Sequence, residues 1–169
     1  MEIILATHNL DKCKELQESL SDSEIIILTL KDFPDIGEII EDGLSLEENA
    51  FIKSRTVFNI TKIPTISDDT GLFVDALNGA PGIYSARYSG DDCDPQKNMD
   101  LVLSNLNGIQ NRKAKFKTVI CLFDEDGPSF FNGEVEGEIL ENRTGTDGFG
   151  YDPIFQPKGY NESFAQMNL

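Results

Sequence analysis

Short apolar runs and longer stretches with apolar residues every third or fourth position follow one another along this chain. Ile3 to Ala6 is an apolar run bounded by Thr7-His8-Asn9 and predicts a buried strand. Leu10, Cys13, Leu16 and Leu20 then share one helical face, with Asn9 as a natural N-cap. Glu24 to Leu30 predicts a second strand. Ser45-Leu46-Glu47-Glu48 has the capping-box form and opens a helix expected to reach about Asn59. Pro64 to Ser67 predicts a strand ending in Asp68-Asp69-Thr70-Gly71, with Leu72 to Leu77 returning antiparallel. Asp94-Pro95 caps a helix carrying Met99, Val102, Leu103 and Leu106, which Gly108 ends. Ala114 to Phe123 and Ser129 to Leu140 predict two long strands joined by the turn Asp124-Glu125-Asp126-Gly127. On the second, Glu134, Glu136 and Glu138 are expected outward, with Val135 and Ile139 inward. The mixture of short buried strands and long hairpin strands predicts an α/β fold with a mixed sheet.

At 169 residues the chain suits one domain, or one domain split by a cleft. No apolar run approaches the ~20 residues that span a bilayer, and the N-terminus lacks a signal-peptide pattern. Cys13, Cys93 and Cys121 are widely spaced and odd in number, which favours buried thiols in a reducing compartment, hence a cytoplasmic protein. The net charge of −16 argues against nucleic acid polymers and anionic membranes as partners. It leaves room for a small anionic substrate held by local N–H groups, a few cations and a metal.

Three segments carry candidate chemistry. Thr7-His8-Asn9 followed by Lys12 places hydroxyl and amide donors, a helix N-terminus and an ammonium where phosphate binds, although a plain capped turn has the same form. Asp68-Asp69 sits at the end of an apolar strand, where α/β proteins place ligands, and paired carboxylates suit Mg²⁺. A turn in which aspartates bind their own backbone reads equally well. Adjacent strand residues face opposite ways, so one of the two enters a cleft directly. Glu38-Ile39-Ile40-Glu41-Asp42-Gly43 adds carboxylates in a loop, and Asn49 and Lys53 lie one turn apart on the following helix, with surface placement their default. Gly145 to Pro153 is a glycine-rich loop whose Phe149 and Tyr151 suit either base stacking or plugging of the core. The only histidine, His8, has no partner for a metal pair or a triad. Together these are the parts of a nucleotide site.

On ATHNLDKCKE (6–15), EDGLSLEENAFIKSR (41–55), SDDTGLFVDALNGAPGIYSARYSG (67–90) and GTDGFGYDPIF (145–155), in that order, the chain resembles the inosine triphosphate pyrophosphatases. The resemblance implies one domain over 1–169, an elongated mixed sheet with helices forming two lobes around a central nucleotide-binding cleft, and a homodimer. It implies Mg²⁺-dependent hydrolysis of ITP, dITP or XTP to the monophosphate and pyrophosphate. Thr7, His8, Asn9, Leu10, Asp11 and Lys12 would hold the triphosphate; Glu41 and Asp69 would bind Mg²⁺, with Asp69 also taking the water proton. Thr70 would touch substrate, Phe149, Gly150, Tyr151 and Asp152 would hold the base, and Asp68 and Lys53 would support. His8 departs from the glycine usual in that family. The segment that follows in the family, a lysine and a Ser-His-Arg clamp, is not among these residues, so weak separation of ITP from ATP is expected. Alternatives are a nucleotide-binding protein with little catalysis and a related pyrophosphatase of other base preference.

Overall fold

The computed structural model describes residues 1–7, 12–14, 18 and 25–167. Among these, six strands are hydrogen-bonded in the order β2-β1-β3-β4-β5-β6. They are β1 (Glu2–Leu5), β2 (Ile26–Thr29), β3 (Thr65–Val74), β4 (Lys113–Asp124), β5 (Gly127–Ile139) and β6 (Phe155–Pro157). β1 runs parallel to both β2 and β3, while β5 and β6 are antiparallel, so the sheet is mixed as expected. Among the described residues, two helices have both ends defined: α1 (Leu46–Thr61) and α2 (Pro95–Asn105). No described helix is long and apolar enough to cross a membrane. The expected first helix falls largely outside the described residues; Lys12, Cys13 and Lys14 are helical, whereas Asn9, Leu10, Leu16 and Leu20 are not among those described.

The contacts divide the chain into two compact units. The first comprises Met1–Asp69 and Thr118–Asn132. Ile4, Ala6, Leu30 and Val57 form its core, with Leu28, Phe33, Ile36, Ile39 and Ile63 against it. Ser45 caps α1 by accepting from the Glu48 amide at 3.1 Å. The Glu48 carboxylate reaches back to the Leu44 N–H at 2.6 Å rather than to that of Ser45, so the capping box closes one residue early. The helix runs two residues past the expected Asn59 and stops when Lys62 turns left-handed, φ 60°. Its buried face is Leu46, Asn49, Ala50, Lys53, Ser54, Val57 and Phe58, spaced three and four apart. Phe58 packs on Phe123 of β4, ring centroids 5.2 Å apart.

The second unit comprises Thr70–Lys117 and Gly133–Leu169. Leu72, Val74, Met99, Val102, Leu106, Ala114, Ile139, Tyr151, Ile154 and Phe155 make its core. Asp94 caps α2 through the amides of Gln96 and Lys97, and Gly108 (φ +75°) follows its end, both as the sequence predicts. β4 and β5 are joined by Glu125 and Asp126 alone, a connection only antiparallel neighbours allow.

Two expectations are corrected. Asp68-Asp69-Thr70-Gly71 is not a turn: β3 passes straight through it to Val74. Gly71 is needed for close approach instead, since a Cβ there would lie 2.5 Å from the Gly82 carbonyl oxygen. The antiparallel return comes later, past Asn78 and Gly79, and pairs Phe73 with Pro81. Likewise Val135 is exposed rather than inward, although Ile139 is buried. β6 pairs only with Gly137–Ile139, and Phe155 covers that end of β5, beyond the reach of Val135.

Candidate active site

The alternation of β3 sorts its polar residues onto two faces. Ser67 and Asp69 point toward α1: the Ser67 hydroxyl donates to the Ala50 carbonyl at 2.5 Å, and Asp69 accepts from the Asn49 amide at 3.0 Å. Asp68 points the other way and pairs with Lys12 at 2.5 Å, with both side chains largely buried. The two carboxylates are thus divided between two helical segments, as period-two geometry requires.

Around Asp69 a compact cluster forms. The Lys53 ammonium lies 2.7 Å from Glu41 Oε2 and 4.0 Å from Asp69 Oδ1. Asn49 donates to Asp69 and accepts from the Gly43 N–H at 2.9 Å. Of the acids crowding this loop, Glu38 and Asp42 are exposed and Glu41 is the one that meets Lys53. Burial pushes the Asp69 carboxyl above its ordinary value; Lys53, the Asn49 amide and Lys12 pull it back, and Glu41 adds to the rise. A carboxyl so placed is costly to ionise, and a further cation beside it would relieve that cost.

Asn49 and Lys53 are therefore buried on the inward face of α1, not at the surface as their residue types suggest by default. The signal was present in the sequence: both fall in the apolar stripe of Leu46, Ala50 and Val57. Among the described residues no three His, Cys, Asp or Glu side chains gather as a metal cluster.

The second unit carries the other candidates. Thr70 is half-buried on β3. In the glycine-rich loop Asp152 Oδ2 accepts from the Phe149 amide at 2.8 Å, and a Cβ on Gly148 (φ +73°) would lie 2.2 Å from that same oxygen. Gly148 is fixed by both conformation and space. Phe149 and Gly150 are half-buried, whereas Tyr151 is in the core and its hydroxyl donates to the Ser85 carbonyl at 2.8 Å. Burial pushes the Tyr151 phenol far up, so it remains a neutral donor. Ser85 in turn donates to Gly82 and accepts from the Leu72 amide, tying the 79–90 segment to β3. Of the expected phosphate turn, Thr7 and Lys12 are described; His8, Asn9, Leu10 and Asp11 lie outside the described residues.

Comparison with known proteins places the chain in one family. The Ham1 family profile matches residues 3–169. The chain is 46% identical over 169 residues to the dITP/XTP pyrophosphatase of Christiangramia forsetii, covering all of this chain and 88% of that one. It is 47% identical to the dITP/XTP pyrophosphatase of Listeria monocytogenes, covering 98% of this chain and 83% of the relative. Among solved structures, a HAM1 protein from Coxiella burnetii superposes with TM-score 0.90 at 38% identity, over 99% of this chain and 87% of that one. The Ham1 protein of Staphylococcus aureus gives 0.89 at 35%, with coverage of 99% and 87%. This chain belongs to the Ham1 family.

Proposed function

We propose that this protein is a cytoplasmic, homodimeric, single-domain pyrophosphatase that converts non-standard purine nucleoside triphosphates (dITP, ITP and XTP) to the monophosphate and pyrophosphate. The observation that carries the reading is the Glu41–Lys53–Asp69–Asn49 cluster, found in a chain with full-length dITP/XTP pyrophosphatase relatives. Nucleotide-pool cleansing is the role this activity serves.

The donor set fits Mg²⁺. Glu41 and Asp69 supply hard carboxylate oxygens that already face one shared cation, Lys53, and Mg²⁺ commonly takes one or two carboxylates alongside substrate phosphates. Bound by Glu41 and Asp69, Mg²⁺ would supply neutralisation of the triphosphate and a more acidic water. The protein's own groups do the rest. Asp69 accepts the proton of the water attacking the α-phosphorus as general base. Thr7 to Lys12 holds the phosphates, with Lys12 offsetting the charge that builds on them. Asp68, paired with Lys12, sets the position of that ammonium. Thr70 touches substrate. Phe149 stacks on the base, and Gly150, Tyr151 and Asp152 shape the loop around it. Rejection of ATP and dATP rests on donors that a 6-keto base satisfies and a 6-amino base leaves unpaired.

The test is pyrophosphate release from dITP, XTP, ITP, dATP and GTP with and without Mg²⁺. Mg²⁺-dependent turnover that is fastest with dITP, ITP and XTP is expected. Equal turnover of dATP, or full turnover in EDTA, would contradict it.

A further inference from the structure

We infer that Asn49 is a positioning residue that sets the direction of the Asp69 carboxylate and the seat of the Glu41 loop together. The inference rests on the proposed role of Asp69. Asn49 is 3% exposed, in the first turns of α1. Its amide is used at both ends: Oδ1 accepts from the Gly43 N–H at 2.9 Å and Nδ2 donates to Asp69 Oδ2 at 3.0 Å. Neither partner can exchange roles, since a backbone N–H only donates and an ionised carboxylate only accepts. The orientation of the amide is therefore determined.

Space reinforces the arrangement. A Cβ on Gly43 would come 2.7 Å from Asn49 Oδ1 and 2.8 Å from Glu48 Cβ, so the loop can lie this close to α1 only with glycine there. Glu41 is two residues upstream of that contact. One turn further along the same helical face, Lys53 approaches the same two carboxylates through its ammonium. Lys53 acts by charge, which is nearly indifferent to direction. Asn49 acts by hydrogen-bond geometry, which is not.

Asn49→Asp separates the two ends. An aspartate keeps an oxygen for the Gly43 N–H and sets its other oxygen against Asp69. Asn49→Ala removes both links. The reciprocal double variant Asn49→Asp with Asp69→Asn restores a donor–acceptor pair with the direction reversed. We expect kcat for dITP to fall about 10- to 100-fold in both single variants, the scale of a misplaced reacting group, with KM within about threefold of wild type. The double variant should recover the melting temperature lost in Asn49→Asp and remain inactive. Wild-type kcat in Asn49→Asp would overturn the inference, leaving Asn49 only a loop anchor, and so would a loss confined to KM. An absence of pyrophosphate release from the wild type would instead sink the hydrolase reading itself. In that case the melting temperatures of the four proteins still decide whether the Asn49–Asp69 bond exists.

Discussion

The ammonium of Lys53 lies 2.7 Å from the Glu41 carboxylate, and it is the more deeply buried of the two groups. Such a pair adds little net stability when intact, but losing one partner strands the other. Here the Lys53 charge also faces Asp69, so its removal takes from two neighbouring carboxylates the counterion they share. Lys53→Met should destabilise the metal-free protein by about 1–3 kcal/mol, below the figure for a fully buried pair because Glu41 is partly exposed. Added Mg²⁺ should raise the melting temperature more in the variant than in wild type. No extra response to Mg²⁺, in melts with EDTA and with excess metal, would argue against a shared cation site.

Asp69→Asn should lower kcat by about 10²- to 10⁴-fold, the usual contribution of a general base. Its effect on stability has the opposite sign. Because burial raises the folded-state pKa of Asp69, the folded protein holds that proton more tightly than the unfolded chain. Below the ordinary carboxylate range both states are protonated and the residue imposes no penalty. As pH rises through the folded-state pKa, that advantage is lost. Melts in EDTA should therefore show Asp69→Asn gaining on wild type between acid and neutral pH. A variant that loses ground to wild type as pH rises would contradict the assignment.

Much of the frame was legible in the sequence. The stripe of α1, the Asp94-Pro95 start of α2 and the hairpin at Asp124–Gly127 are local signals, and each forms where its chemistry places it. Asp68-Asp69-Thr70-Gly71 misled because its composition is that of a turn. Its carboxylates pair with Lys12 and Asn49, distant in sequence, rather than with their own backbone, and the strand runs on. Val135 misled for a related reason: alternation assigns residues to faces but does not say how far β6 extends to cover one. In the acidic loop, composition alone leaves Glu38, Glu41 and Asp42 equivalent, and only the approach of α1 singles out Glu41.

In the proposed mechanism Phe149 stacks on the base, and its loop is held by Asp152 and Gly148. Phe149→Ala should raise KM for dITP about 5- to 150-fold, the equivalent of about 1–3 kcal/mol of stacking, and leave binding of inorganic pyrophosphate unchanged. Equal losses for both ligands, measured by calorimetry, would mean the substitution had disordered the loop rather than removed a stacking face.

The three thiols should separate cleanly. Cys93 is exposed, while Cys13 and Cys121 are buried and burial pushes both thiols up. Cys121 is further enclosed by the Ser54 hydroxyl, 3.1 Å from its sulfur. The thiolate is the reactive form, so a raised pKa and enclosure act in the same direction. Limited iodoacetamide at neutral pH should label the Cys93 peptide first, with the other two reacting after unfolding or at higher pH. Early labelling of Cys121, read by mass spectrometry, would show that α1 opens from β4 far more readily than its packing suggests.

Hydrolysis of dITP in ¹⁸O-water reads the site of attack. Attack at the α-phosphorus by a water whose proton passes to Asp69 places the label in the nucleoside monophosphate and leaves unlabelled pyrophosphate. Label in pyrophosphate, or release of orthophosphate with a nucleoside diphosphate, would contradict the account.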